Sequence, residues 1–136
     1  MSILSEAEVE AVLLDQLGAL GYACLNDKVS GPDGQAPERD AYSDTFLKLR
    51  LRDAITRLNP NIPADAREDA LRRVIATERP SLVEENRRLH RTMVEGVPVE
   101  YRAEDGSIRG DAVRLIDPED MQNDWLAIAQ FTVIEN

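Results

Sequence analysis

A single cysteine, Cys24, and a single histidine, His90, stand among 136 residues. One cysteine excludes an internal disulfide framework and a cysteine-rich zinc site, and suits a reducing cytoplasm. Aromatic residues make up only 4%, too few to build a stacking platform for single-stranded nucleic acid. No stretch approaches the roughly 18 uninterrupted apolar residues of a membrane span, and Met1-Ser2-Ile3-Leu4 lacks the basic start of a signal peptide. Cations are also short: 16 Lys+Arg face 26 Asp+Glu, a net charge of −10 that taken alone argues against a nucleic-acid partner. What the chain does have is a globular share of apolar residues, 43%, and a length suited to one domain covering 1–136.

Periodicity divides that length in two. Ser5-Glu6-Ala7-Glu8 has the form of a capping box, followed by Val9, Val12, Leu13, Leu17 and Leu20 at helical spacing and by Gly21 as a stop. Residues 26–42, with Gly31-Pro32-Asp33-Gly34 and Pro37, read as a long surface loop. A second helix is expected from about Ser43 to Asn59, burying Leu47, Leu51, Ile55 and Leu58 and ended by Asn59-Pro60. A third runs from about Pro63 to Thr77 with Ala66, Ala70, Leu71, Val74 and Ile75 inward, and Glu68–Arg72 and Asp69–Arg73 at i,i+4. A fourth opens on Ser81 and Glu84 and stops at Gly96.

Beyond Gly96 the period becomes two. Val97, Val99 and Tyr101 alternate with Pro98, Glu100 and Arg102, Asp105-Gly106 supplies a hairpin turn, and a return strand spans about Ile108 to Ile116. Trp125 to Ile134 is apolar on both faces, the pattern of a central strand. Only one hairpin is available to flank it, so the sheet looks unfinished. The fold class is therefore α+β, with 1–95 mainly helical and 96–136 mainly strand.

Candidate chemistry is sparse. His90 lies beside Arg87, Arg88 and Arg91 with no marked serine or cysteine nucleophile, so a surface or interhelical hydrogen-bonding role is expected. Cys24 has no cationic neighbour to lower its pKa and reads as a small core filler. Glu6, Glu10 and Asp15 lie on or beside the solvent stripe of the first helix, where acids favour the positive helix end. Asp117-Pro118-Glu119-Asp120 lacks the spaced ligands and glycine of a calcium loop and reads as a solvated turn.

Charge placement says more than its sum. Residues 48–91 hold eleven basic residues, ten of them arginine, against seven acids, a local balance of +4 that leaves −14 for the rest. Arginine suits forked contacts with phosphate or carboxylate. The stretch is expected to form a basic helical layer neutralised within the fold, with an external protein or nucleic-acid contact as the competing reading.

Four ordered segments together resemble one family. They are Arg50-Leu51-Arg52-Asp53-Ala54 leading to Arg57-Leu58-Asn59-Pro60-Asn61-Ile62-Pro63; Asn86-Arg87-Arg88-Leu89-His90 with Glu95-Gly96-Val97-Pro98-Val99-Glu100-Tyr101; Arg109-Gly110-Asp111 through Leu115-Ile116-Asp117; and Asn123-Asp124-Trp125 through Thr132-Val133. In this order they resemble the N-terminal region of the R (restriction) subunit of type I restriction–modification enzymes. The resemblance implies the first part of a PD-(D/E)xK nuclease domain, followed in such subunits by an ATP-driven motor on duplex DNA and a helical region docking onto the methyltransferase and specificity subunits. It implies Mg²⁺ for hydrolysis and ATP for translocation; the expectation of a cytoplasmic protein away from membranes rests on the single cysteine and the lack of a long apolar run. It places the metal-binding Asp, Glu and Lys, carried by Arg-Pro-Asp and Glu-Leu-Lys segments, after the strand matched by Trp125–Val133, so no catalytic residue is expected in this chain. One metal-proximal residue is implied, Glu10, which matches the family's first-helix glutamate. Pro118 after Asp117, where an aromatic is common, and Ala129 before Gln130, where Asn is frequent, depart from the family pattern. A free-standing interaction module using the arginine-rich helices, and an independent DNA-binding domain, are the alternatives.

Overall fold

The computed structural model describes residues 3–135. It is α+β and divides into two compact units, one made of the chain up to Leu47 and from Asp124 onward, the other of Lys48–Asn123.

In the first unit, helix α1 (Glu6–Ala19) begins where the capping box places it: Glu8 N–H donates to Ser5 Oγ at 3.3 Å and Ser5 N–H to Glu8 Oε2 at 2.7 Å. The Ser5 N–H, and after it the Ser5 hydroxyl donating to the same Oε2 at 2.9 Å, hold the Glu8 carboxyl below the ordinary range. Gly21, at φ 97°, ends the helix, and Tyr22 N–H closes back on the Leu17 carbonyl at 3.1 Å. The chain then enters β1 (Ala23–Asn26), which pairs in parallel with β4 (Leu126–Ala129) in the register Ala23↔Leu126 to Asn26↔Ala129. The rings of Tyr22 and Trp125 meet just before the two strands, 5.7 Å apart.

Three expectations for this unit need correction. The apolar run 125–134 yields a strand of only four residues, because Gln130 turns left-handed at φ 59° and ends it. Its partner is β1, not the hairpin, which forms a separate two-stranded sheet; four residues without alternation gave β1 no signature. Cys24 lies on that strand and is exposed, so it fills no core.

The segment after β1 is not a simple surface loop. Asn26 caps a single turn, α2 (Asp27–Ser30), through a bond from Lys28 N–H at 3.0 Å, and Asp27, Ser30 and Arg39 are buried. Glycine is required at 34, where a Cβ would sit 2.1 Å from the Val29 carbonyl oxygen.

The second unit carries the apolar core. Helix α3 (Lys48–Leu58) starts five residues later than Ser43, since Ala41 and Asp44 close a turn upstream of it. Helix α4 (Ala64–Ile75) buries Ala66, Ala70, Leu71 and Val74, and α3 contributes Ile55, 1% exposed. Between the helices, the Asn59 amide donates to the Ile55 and Arg114 carbonyls and accepts from Arg114 N–H, each at 2.8 Å. Helix α5 (Leu82–Glu95) is capped by Ser81 and ends at Gly96, whose φ of 82° and close approach to the Val113 carbonyl exclude a side chain.

The hairpin follows as β2 (Val97–Arg102) and β3 (Ile108–Val113), antiparallel with Val97↔Val113 and Arg102↔Ile108. Val97, Val99 and Val113 complete the core, as period-two alternation requires. Gly106 is left-handed in a turn closed by Gly106 N–H to Ala103 O and Ala103 N–H to Ser107 O, the geometry of a turn followed by a one-residue bulge.

Candidate functional site

Both strands of the parallel pair end on the same side, and polar side chains collect beyond their carboxyl ends, the usual place for a site in a parallel sheet. Two groups occur there. One is Glu10 of α1 with Gln130, the residue following β4: Gln130 Nε2 donates to Glu10 Oε2 at 2.5 Å. The left-handed backbone at Gln130, a conformation costly for a side chain with a Cβ, ends β4 at the residue whose amide meets the carboxylate. Glu10 is half-buried on a helix whose other acids, Glu6, Glu8 and Asp15, are exposed.

The second group is a buried ion pair. Arg39 Nη2 donates to Asp27 Oδ2 at 3.0 Å and Oδ1 at 3.2 Å, with the two side chains 1% and 5% exposed. Asp27 Oδ2 also accepts Thr132 N–H at 3.0 Å, and Arg39 Nη2 donates to the Thr132 carbonyl at 2.6 Å. Arg39 Nη1 reaches the carbonyls of Tyr42 and Asp44, and the guanidinium lies 3.8 Å from the Phe131 ring centroid. Nearby, the Tyr42 hydroxyl donates to Asp33 Oδ2 at 3.0 Å, and that bond raises the phenol's pKa. A charge pair so enclosed is tolerated only because nearly every lone pair and N–H is used; Arg39 Nε alone has no partner. With its donors committed, the pair acts as a latch between 27–44 and the segment after β4. Reading the sequence missed it, since nothing local links residues twelve apart across a Gly- and Pro-rich stretch.

Against the chemistry that Mg²⁺ requires, this chain's residues do not make a site. Among the described residues no three His, Cys, Asp or Glu side chains gather to hold a metal ion, and Glu10 offers one carboxylate. Mg²⁺ is held in near-octahedral oxygen geometry by one or two carboxylates plus waters and substrate phosphates.

The remaining candidates are structural or unengaged. The Asp117 carboxylate accepts the N–H groups of Glu119, Met121 and Gln122, so it orders a turn, as the absence of a calcium-loop pattern indicated. His90 is exposed on α5, in an open groove with Met93, Val94 and Arg114.

In the arginine-rich stretch, Arg52 reaches Glu68 on α4 at 2.6 Å, and Arg72 and Arg73 both pair with Asp69. The expected Glu68–Arg72 pair is thus replaced by a helix-to-helix contact, while Asp69–Arg73 forms as the spacing indicates. Arg57 donates to Gln122 O, Arg67 to Asn59 O, and Arg88 to Glu85 and three carbonyls.

A family model described as the type I restriction enzyme R protein N terminus matches residues 3–136. The chain belongs to this family. Two R-subunit relatives are similar over nearly all of it. The HindI type I restriction enzyme endonuclease subunit of Haemophilus influenzae is 27% identical over 133 residues, 96% of this chain and 12% of the relative. A Methanocaldococcus jannaschii protein named as the endonuclease subunit of type I restriction enzyme MjaIXP is 28% identical over 126 residues, 92% of this chain and again 12% of the relative. The chain thus spans about an eighth of the length of these restriction subunits. No solved structure matches it. No described helix is long and apolar enough to cross a membrane.

Proposed function

We propose that this chain is the opening part of a PD-(D/E)xK-type nuclease domain, within a restriction subunit that cleaves duplex DNA hydrolytically with Mg²⁺. ATP-driven translocation, a cytoplasmic setting, and assembly with methyltransferase and specificity subunits belong to the same reading. Family membership across residues 3–136 is the observation that carries it. The α1–β1 unit with β4 in parallel is compatible with the start of such a domain, and Glu10, steadied by Gln130 at the carboxyl ends of the strands, is the residue we assign to the neighbourhood of the metal. The metal ligands would come from the Arg-Pro-Asp and Glu-Leu-Lys segments, with Glu10 near them, and no catalytic step is assigned to this chain. The interaction-module alternative gains nothing from the comparisons.

Two experiments test this. Reading the coding sequence beyond Asn136 should enter Arg-Pro-Asp and Glu-Leu-Lys; a stop codon there contradicts the proposal. The 136-residue chain should produce no Mg²⁺-dependent nicking of plasmid DNA. Reproducible nicking that disappears in Glu10→Gln would show a complete site within it.

A further inference from the structure

The arginines of residues 48–91 sort into two sets. Seven are committed inside the fold: Arg52, Arg57, Arg67, Arg72, Arg73 and Arg88 through the contacts above, and Arg50 through a partner of its own. The side chains of the other three, Arg79, Arg87 and Arg91, meet no acid or hydrogen-bond acceptor among the described residues. All three line the same groove of about 460 Å³, with Arg88, Pro80, Thr92 and a single acid, Glu84.

The groove's walls are fixed by the arginine that is not free. Arg88 donates to the Arg73, Val74 and Ala76 carbonyls and to Glu85, tying the end of α4 to α5. Glu85 in turn accepts the Glu78 and Arg79 N–H groups, at 3.3 and 3.0 Å, which pins the connecting segment that bears Arg79. Arg87 and Arg91 are one helical turn apart and so share a face of α5. Three arginines thus line one concavity whose backbone is already ordered. Such forks suit phosphate oxygens, which accept two N–H bonds at once.

We propose that Arg79, Arg87 and Arg91 form a docking groove for the phosphodiester backbone of duplex DNA. The groove rests on the reading of the chain as part of a DNA endonuclease and deepens it by naming where the duplex is held. Binding of this kind carries no sequence information; it positions the substrate. It also eases the conflict between a net charge of −10 and a DNA substrate, because the three arginines of residues 48–91 without an internal partner among the described residues line one groove.

The test is fluorescence anisotropy of a labelled duplex, about 30 base pairs long and of arbitrary sequence, titrated with the full chain at several salt concentrations. Each phosphate contact contributes about 0.9 to the slope of log K against log salt. Arg79→Gln/Arg87→Gln/Arg91→Gln should lower the slope by about 2–3 and weaken binding at least tenfold at low salt. The control Arg52→Gln/Arg72→Gln/Arg109→Gln removes the same charge from arginines that already face carboxylates and should change both far less. Thermal melts establish that both variants are folded. Equal losses in the two triples, no duplex binding by the parent chain, or displacement of the duplex by poly-glutamate as readily as by unlabelled DNA would each overturn the groove. Failure here, with a coding frame that continues into the catalytic segments, removes the groove and leaves the nuclease reading. A frame that stops, with groove-dependent binding intact, does the reverse.

Discussion

The two units of this chain are held together by opposite means. Among the described residues, nine of the ten buried apolar ones lie in Lys48–Asn123, and the tenth, Ala129, is the only one in the unit that carries Glu10. Three of the four buried polar residues among those described, Asp27, Ser30 and Arg39, are in that other unit. Helix α1 buries no residue fully and leaves Val9, Val12 and Leu13 about half exposed. One unit is thus organised by hydrophobic burial, which is non-directional and tolerant of small changes in shape. The other is organised by a polar latch, which is directional and fails when one partner is removed.

The sharpest way to break the comparison is at the latch. Asp27→Ala leaves the Arg39 guanidinium buried without its counter-charge and should cost about 3–5 kcal/mol, read as lost protection of β1 and β4. Replacing both partners by apolar residues, Asp27→Leu with Arg39→Met, should cost less than the single change; a larger cost would show that the pair is not electrostatically balanced. In the apolar unit, Ile55→Ala should cost about 2–5 kcal/mol in chemical denaturation, with no such relief from any second polar change. Smaller again, Ser81→Ala at the N-terminus of α5 should cost about 1 kcal/mol in a thermal melt.

The smallest effect is in pH. The Arg88 hydrogen bond, with help from the Arg79 and Glu78 N–H groups, holds the Glu85 carboxyl below its ordinary range. A depressed carboxylate contributes stability that is fully present above its unfolded pKa and is lost as pH falls through the folded one. Melting temperature should therefore fall as the solution is acidified below about pH 4, and Glu85→Gln should flatten that limb. An unchanged acid limb in the variant would show that Glu85 adds nothing.

What the sequence made legible follows the same division. The capping box at Ser5–Glu8, the Gly21 stop, the α4 stripe and the β2–β3 alternation are local patterns, and each appears in the structure. Strand β1 was illegible because four residues, Ala23–Asn26, are too few to show a period. The extent of β4 was overread because an apolar run reports burial, not conformation, and nothing marked Gln130 as left-handed. The latch was illegible because its members pair across a segment without periodicity. A role for Glu10 near a metal is implied only by the family resemblance, and the bond from Gln130 was illegible because the two residues lie 120 apart in sequence. Family membership needed no structure, since the four ordered segments already pointed to it.

The most direct test of the account is residue-resolved amide hydrogen exchange on the parent chain and Asp27→Ala. The account predicts that the slowest amides of the parent lie in α4, β2 and β3, and that the variant loses protection in β1, β4 and α1 while α4, β2 and β3 keep theirs. Equal loss of protection across both units would contradict the claim that the unit bearing Glu10 is secured by its own polar latch.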